Sequence, residues 1–196
     1  VQQGANVGDC LYEDISGPDG TPDGVIDAYD QTVLGSGLPK VNFGLSTHME
    51  YKGFDLNIST YGVLNYHVSD DIYNRLNSCY GYGNKEVGML DANRWSEDGT
   101  YLSSVPRTYA ANNATLAWND LFSSRKIQNA AYWKIANVEL GYNFPDKWFG
   151  GYVSGVRLYV SAQNLYTFTG YHGYNVDYAG GTFTPGYTSS SFPSAR

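Results

Sequence analysis

No stretch of this 196-residue chain stays apolar for long: mean hydropathy is −0.39, and nothing approaches the roughly 20 apolar residues of a membrane-spanning helix. A transmembrane helix is excluded. The exclusion does not reach strands, because a spanning β-strand needs only about 9 to 11 residues, half of them apolar, so a barrel wall reads as hydrophilic overall. Basic charge is also scarce. Twelve Lys and Arg against 19 Asp and Glu leave a net charge of −7 with the cations scattered, which argues against a phosphate-binding face and so against a nucleic-acid partner. Cysteine is limited to Cys10 and Cys79, both in turn-rich segments, and the sequence leaves their pairing open. His48, His67 and His172 lack metal-ligand spacing and read as polar lumen or loop residues. Convergent acids are missing too: Asp70 and Asp71 are adjacent and point apart on an extended chain, whereas acid-base catalysis needs carboxylates facing one substrate, so no enzyme is expected. A secretory leader is not seen either; Val1 opens into polar loop sequence, and the chain is expected to be a piece of something longer.

What is abundant is glycine and tyrosine, 23 and 19 residues, with four tryptophans. Four alternating runs organise them. In 41–51 the residues Val41, Phe43, Leu45, Thr47, Met49 and Tyr51 share one face, and Asn42, Gly44, Ser46, His48 and Glu50 the other. After Lys52-Gly53, Phe54, Leu56, Ile58 and Thr60 face outward and Asp55, Asn57, Ser59 and Tyr61 inward, which predicts a hairpin with a very short turn. The run 132–144 sets Ala136, Val138, Leu140, Tyr142 and Phe144 against Asn137, Glu139, Gly141 and Asn143, and Pro145 ends it. The last run sets Val156, Leu158, Val160 and Ala162 against Arg157, Tyr159, Ser161 and Gln163, after a turn carrying Trp148, Phe149 and Tyr152. One face of each run suits lipid and the other water. Charges on a lipid face cost about 2 to 4 kcal/mol at mid-membrane, so Arg157, Glu139, Asp55, Asn57 and Gln163 are expected to face a lumen.

Connections between the runs alternate short, long, short, long. Outer-membrane barrels have that pattern, with short periplasmic turns and long extracellular loops. The predicted fold is therefore all-β, an antiparallel transmembrane barrel-wall segment divided as 1–40 extracellular loop, 41–63 hairpin, 64–130 long extracellular loop, 131–169 hairpin and 170–196 a further loop leading to a missing last strand. Four strands cannot close a barrel, whose small end is about eight, so other strands must complete it. In the long loop, Tyr80, Tyr82, Trp95, Tyr101, Tyr109 and Trp118 make either a stacking platform for sugars or simple loop packing, and Tyr171, Tyr174 and Tyr178 read as loop packing.

The loop 19–30 carries oxygen-bearing side chains at loop positions 1, 3, 5, 9 and 12: Asp19, Thr21, Asp23, Asp27 and Asp30. Gly24 sits at the sharp turn, and Val25 at the position whose backbone carbonyl would be a ligand. This is EF-hand-type spacing, suited to a hard cation, and a structural calcium ion is expected there. Thr21 and Asp30 depart from the usual Asp or Asn and bidentate Glu. The alternative reading is a solvated acidic loop whose Asp-Gly pairs make turns.

Taken in order, GDCLYEDISGPDGTPDGVIDAYDQTVLGSGLPKVNFGLSTHMEYKGFDLNI, NRWSEDGTYLSSVPR, AAYWKIANVELGYNFPDKW and VRLYVSAQNLYTFTGYHGYNVD resemble the C-terminal part of SusC/RagA-type TonB-dependent outer-membrane transporters of Bacteroidetes. The Asp-rich loop followed by Gly-x-x-x-Pro-Lys, the Leu-Gly-Tyr-x-x-Pro strand end and the Gln-Asn-Leu-Tyr-Thr-Phe-Thr strand carry the resemblance. It implies a plugged barrel of roughly 22 strands, set in outer-membrane lipid. It also implies a SusD-like surface lipoprotein that lids the barrel, and energy from TonB through an N-terminal region not in this chain. The expected function is import of glycans or other oligomeric nutrients, with this segment contacting the remainder of its own barrel and plug. The alternative is a secreted, calcium-stabilised β-rich carbohydrate-binding module.

Overall fold

The computed structural model describes residues 2, 4–79, 84–87, 95–96, 105–108, 118–173, 175–177, 181 and 183–189. Its main sheet has four antiparallel strands: β1 (Val41–Tyr51), β2 (Phe54–Leu64), β5 (Tyr132–Asn143) and β6 (Arg157–Thr169), in the order β1-β2-β5-β6. The ends of β1 and β5 fall within one residue of those read from the alternation, while β2 and β6 run on to Leu64 and Thr169, past the alternation traced to Tyr61 and Gln163. The β1–β2 turn is only Lys52-Gly53, with Tyr51 opposite Phe54. Both turn residues take positive φ, 49° and 90°, as a two-residue hairpin that follows the strand twist requires.

Register decides which side chains meet, and one bulge changes it. Thr60 pairs with Ile135 while Ser59 pairs with Asn137, so Ala136 is an extra residue. On the other flank Ile135 faces Tyr166 and Asn137 faces Gln163, leaving Asn164 and Leu165 opposite Ala136, with Asn164 at φ 52°. The expectation that Ala136 continues the outward row is therefore corrected. The bulge resets the phase, and Ile135 and Trp133 join Val138, Leu140 and Tyr142 on the outer face.

That outer face has a layered composition. At the hairpin-turn end Phe54 packs on Tyr142 (4.6 Å between ring centroids), Tyr142 on Phe144 (4.9 Å) and Phe144 on Trp148 (5.9 Å). At the far end Trp133 stacks on Phe168 at 5.3 Å and Tyr166 meets Phe168 edge-on at 4.7 Å. Between the two collars run aliphatic residues such as Leu56, Ile58, Val138, Leu140, Leu158 and Val160, and Val160 is 75% exposed. An apolar belt flanked by two aromatic girdles is the outer surface of a membrane barrel. Gly62 keeps the belt close: a Cβ there would lie 2.6 Å from the Phe43 ring, which crosses it.

The chain divides into two units. A small sheet is made by β3 (His67–Asp70), β4 (Gln128–Asn129) and β7 (Tyr187–Thr188), in the order β4-β3-β7; its residues belong to the unit holding the main sheet except Ser69 and Asp70. The buried apolar cluster of this unit comprises Tyr66, Val68, Ala130, Tyr132, Tyr171 and Val176. The second unit joins 1–35 to 69–127. It contains α1 (Asp71–Leu76), capped by the Asp70 carboxylate, which accepts from the backbone N–H groups of Ile72 and Tyr73. The 64–130 connection thus carries short ordered elements of its own.

Candidate functional site

The inner face of the main sheet concentrates its charge near the hairpin turns. Asp55 on β2 pairs with Gly141 on β5, and Arg157 opens β6 across from Asn143. The guanidinium donates through Nε to Asp55 Oδ1 at 3.1 Å and through Nη2 to both Asp55 and Glu139. Asn143 Nδ2 donates to Asp55 at 3.1 Å, and the Arg157 guanidinium lies 5.0 Å from the Tyr159 ring centre. Asp55 is only 4% exposed. Space for this network comes from Gly141, where a Cβ would sit 2.5 Å from Asp55 Oδ1 and 2.6 Å from Arg157 Nη2. Beside it, His48 joins Asn57 (2.5 Å) and Glu50 (2.9 Å).

A second polar group closes the opposite end of the inner face. Lys134 pairs with Asp177, whose carboxylate also accepts from the Tyr61 hydroxyl at 3.3 Å, and Tyr61 meets Tyr132 edge-on at 6.1 Å. The segment after β6 is thereby tied down over the strand ends. Arg157, Glu139, Asp55 and Asn57 were legible as inward residues from alternation; Gly141, Asn143, Lys134 and Asp177 were not assigned partners, because cross-strand register depends on the turn and the bulge.

In the acidic loop three of the four carboxylates, those of Asp23, Asp27 and Asp30, accept backbone hydrogen bonds. Asp30 Oδ1 accepts from the N–H groups of Ile15 (2.8 Å) and Ser16 (3.1 Å), and its Oδ2 from Asp27 N–H (2.8 Å). These bonds, that of Asp27 foremost, hold the Asp30 carboxyl below its usual range. Asp27 caps the short 3-10 turn Ala28–Asp30, and Asp23 Oδ1 accepts from Val25 N–H at 2.9 Å. Asp19 and Thr21 are exposed. Asp14, ahead of the twelve-residue spacing and missed by it, accepts from Gly24 N–H through one oxygen, while its Oδ1 is buried without a partner. Among the described residues, no three His, Cys, Asp or Glu side chains converge on one point.

The same unit holds an open cleft of about 510 Å³ lined by Asp9, Cys10, Tyr12, Glu13, Trp95 and Arg125 among others. Its floor is set by Asp9, which takes Arg107 Nε at 2.6 Å, Asn119 Nδ2 at 2.9 Å and Asn6 N–H at 2.8 Å. Burial pushes the Asp9 carboxyl up, but those hydrogen bonds outweigh it and hold the group below its ordinary value. Of the expected aromatic platform, Trp95 lines this cleft and Trp118 packs on Tyr12 at 5.9 Å. Tyr80, Tyr82, Tyr101 and Tyr109, like Tyr174 and Tyr178, lie outside the described residues. Tyr171 is buried in the apolar cluster, as loop packing requires.

No family model matches the chain. Among curated proteins it is 30% identical over 164 residues to TonB-dependent receptor P3 of Formosa agariphila, covering 83% of this chain and 15% of that protein. It is 28% identical over 193 residues to TonB-dependent receptor P39 of the same organism, covering 95% of this chain and 18% of the relative. With TonB-dependent receptor SusC of Bacteroides thetaiotaomicron it shares 28% identity over 153 residues, 76% of this chain and 14% of that one. The chain therefore spans less than a fifth of the length of these relatives. Among solved structures, the RagAB peptide importer in its closed-closed state superposes with a TM-score of 0.69 over 90% of this chain and 19% of the other, at 24% identity. The open-open state gives 0.67 over 90% and 18%, also at 24% identity. These relatives are receptors and transporters, not enzymes.

Proposed function

Starting from a chain that is a segment of a SusC/RagA-type TonB-dependent transporter, we propose that it forms four adjacent staves of an outer-membrane barrel that imports oligomeric nutrients. The apolar belt between two aromatic collars, backed by the Asp55–Arg157–Glu139 network, is the observation that carries the reading. Lipid meets the belt, and water, plug and cargo meet the network. The short turns at 52–53 and 144–156 face the periplasm in this reading, and the long connections 1–40, 64–130 and 170–196 are the extracellular loops. There a SusD-like lipoprotein delivers cargo, and TonB acts through the part of the protein that precedes this chain.

Glycan is the first candidate cargo, because an aromatic and oxygen-rich cleft suits sugar faces and hydroxyls. Peptide is the competing class, in keeping with the fold likeness to a peptide importer. A strain whose only copy of the full-length gene is deleted separates them: lost growth on oligosaccharide with growth on peptide intact supports the first, and the reverse pattern supports the second. Co-purification of a surface lipoprotein with the detergent-solubilised transporter tests the partner. A detergent-free monomer would sink the barrel reading and promote the secreted binding module.

For the acidic loop we propose a structural calcium role with a changed ligand set: Asp27 and Asp30 of the spacing are engaged by backbone N–H groups, so the role rests on Asp23 and on the buried, unpartnered oxygen of Asp14. Asp14 and Asp23 are the side chains that would hold the ion, and its charge would stiffen the turn around Gly24.

A further inference from the structure

Two cysteines 69 positions apart in sequence are brought to one guanidinium. Arg125 Nη1 lies 3.2 Å from Cys10 Sγ and 3.9 Å from Cys79 Sγ, so the two sulfurs are at most about 7 Å apart. Their main chains are held by consecutive residues. Cys10 N–H donates to Asn119 Oδ1 at 2.6 Å, and Cys79 N–H donates to Asp120 Oδ1 at 3.3 Å. Asp120 also accepts from Ser78 Oγ at 2.7 Å, and Gln2 Nε2 donates to the Cys10 carbonyl at 2.8 Å. Both cysteines and Arg125 belong to the same compact unit. What stands between the sulfurs is the end of an exposed, long side chain, which can swing aside.

We propose that Cys10 and Cys79 are a disulfide-forming pair that staples the N-terminal segment to the segment following α1. Two anchors on adjacent residues bring the backbones together independently of the thiols. The pairing chemistry is ordinary exchange. Cys10, the more accessible sulfur, attacks an external disulfide of the oxidised-glutathione or protein-dithiol-oxidant class as its thiolate and expels one thiolate. Cys79 then attacks the Cys10 sulfur of the mixed disulfide and expels the second. Each cysteine thiol loses one proton and one electron, and the external disulfide takes up both pairs as two thiols. Cys79 is 1% exposed and its burial raises the thiol, while the Arg125 charge beside it favours the thiolate. The resulting covalent loop contains the whole β1–β2 hairpin, so it fixes the two flanks that leave the hairpin's open end. The pairing does not depend on which nutrient the barrel carries.

The test uses full-length transporter purified from its membrane without reductant, alkylated under denaturing conditions and digested with trypsin. The expected result is a linked species joining the peptide that ends at Lys40 to the 76–85 peptide, lighter than the sum of the two thiol peptides by two hydrogen atoms. It is present as isolated or after exposure to oxidised glutathione, and it is lost on reduction. Alkyl label on both Cys10 and Cys79 even after that exposure, or a bond from either to another cysteine, overturns the proposal. A second readout is thermal: reductant lowers Tm in the wild type and leaves the Cys10→Ser variant unchanged. An equal effect on both proteins also counts against the staple.

Discussion

Gly141 has the strongest claim on the inner face although it contributes no atoms to the network. A Cβ at that position would lie 2.5 Å from Asp55 Oδ1 and 2.6 Å from Arg157 Nη2, well inside van der Waals contact, so Gly141→Ala forces either the ion pair or the strand to move. Overpacking of this kind costs about 1–3 kcal/mol. The expected outcome is a lower folded fraction of full-length transporter, read as heat-modifiable mobility on gels. In an Asp55→Ala background the same substitution should cost less, because the two Asp55 oxygens it strikes are gone and the freed Arg157 side chain can move away. Equal cost in both backgrounds would show that the clash lies elsewhere. The inward position of Gly141 was legible from alternation, as were those of Arg157, Glu139 and Asp55. Its purpose was not, since a glycine reads the same whether it makes room, bends a strand or does neither; only the register with Asp55 distinguishes these.

At the scale of the element, the acidic loop behaves as a turn clamped by Asp30 whether or not an ion adds to it. Its folded-state carboxyl is depressed, as is that of Asp9 in the adjoining cleft. A depressed carboxyl contributes stability above its ordinary value, near pH 3.9 for Asp, and that contribution is lost as pH falls through the folded value. Deuterium uptake in 5–16 and 24–30 should therefore rise on acidification below about pH 4, while the main sheet stays protected. Asp30→Asn should show raised uptake already at neutral pH and a weaker acid response; an unchanged profile would remove Asp30 from the clamp. Calcium is tested separately. A chelator should lower Tm of the wild type and leave Asp14→Asn unmoved, and identical melting curves with and without chelator would end the cation reading. The spacing counted from Asp19 made this loop legible but passed over Asp14, because only the fold brings residue 14 against Gly24. Strands β3, β4 and β7 were unreadable for a related reason: two to four residues carry no period, and their pairing is long-range.

For the whole molecule, orientation in the membrane follows from the four long strands. Their existence and most of their outward rows were legible because period-2 alternation is enforced by lipid on one side and water on the other. The bulge at Ala136 was hidden, since Ile135 and Ala136 are both apolar and either could continue the outward row. Val160 lies mid-belt and Ser161 faces inward beside Glu139. Val160→Lys should cost about 2 to 4 kcal/mol and sharply reduce the outer-membrane yield of folded transporter, whereas Ser161→Lys should be tolerated. Similar yields for the two variants would contradict the assignment of faces.

The two aromatic collars also act as a ruler. From Trp133 to Tyr142 the chain of β5 advances nine positions, which at about 3.3 Å per residue and a strand tilt near 40° is roughly 23 Å along the bilayer normal. That matches the ~25 Å apolar band of outer-membrane barrels and falls short of the ~30 Å hydrocarbon core of a typical bilayer. A wall cut to this height is mismatched by several ångströms in any thicker membrane, at a cost of fractions of a kcal/mol for each ångström on every stave. Summed around a complete barrel, that penalty is a sorting signal written in strand length, and it favours the thin outer membrane over the thicker bilayer that the nascent chain must first cross.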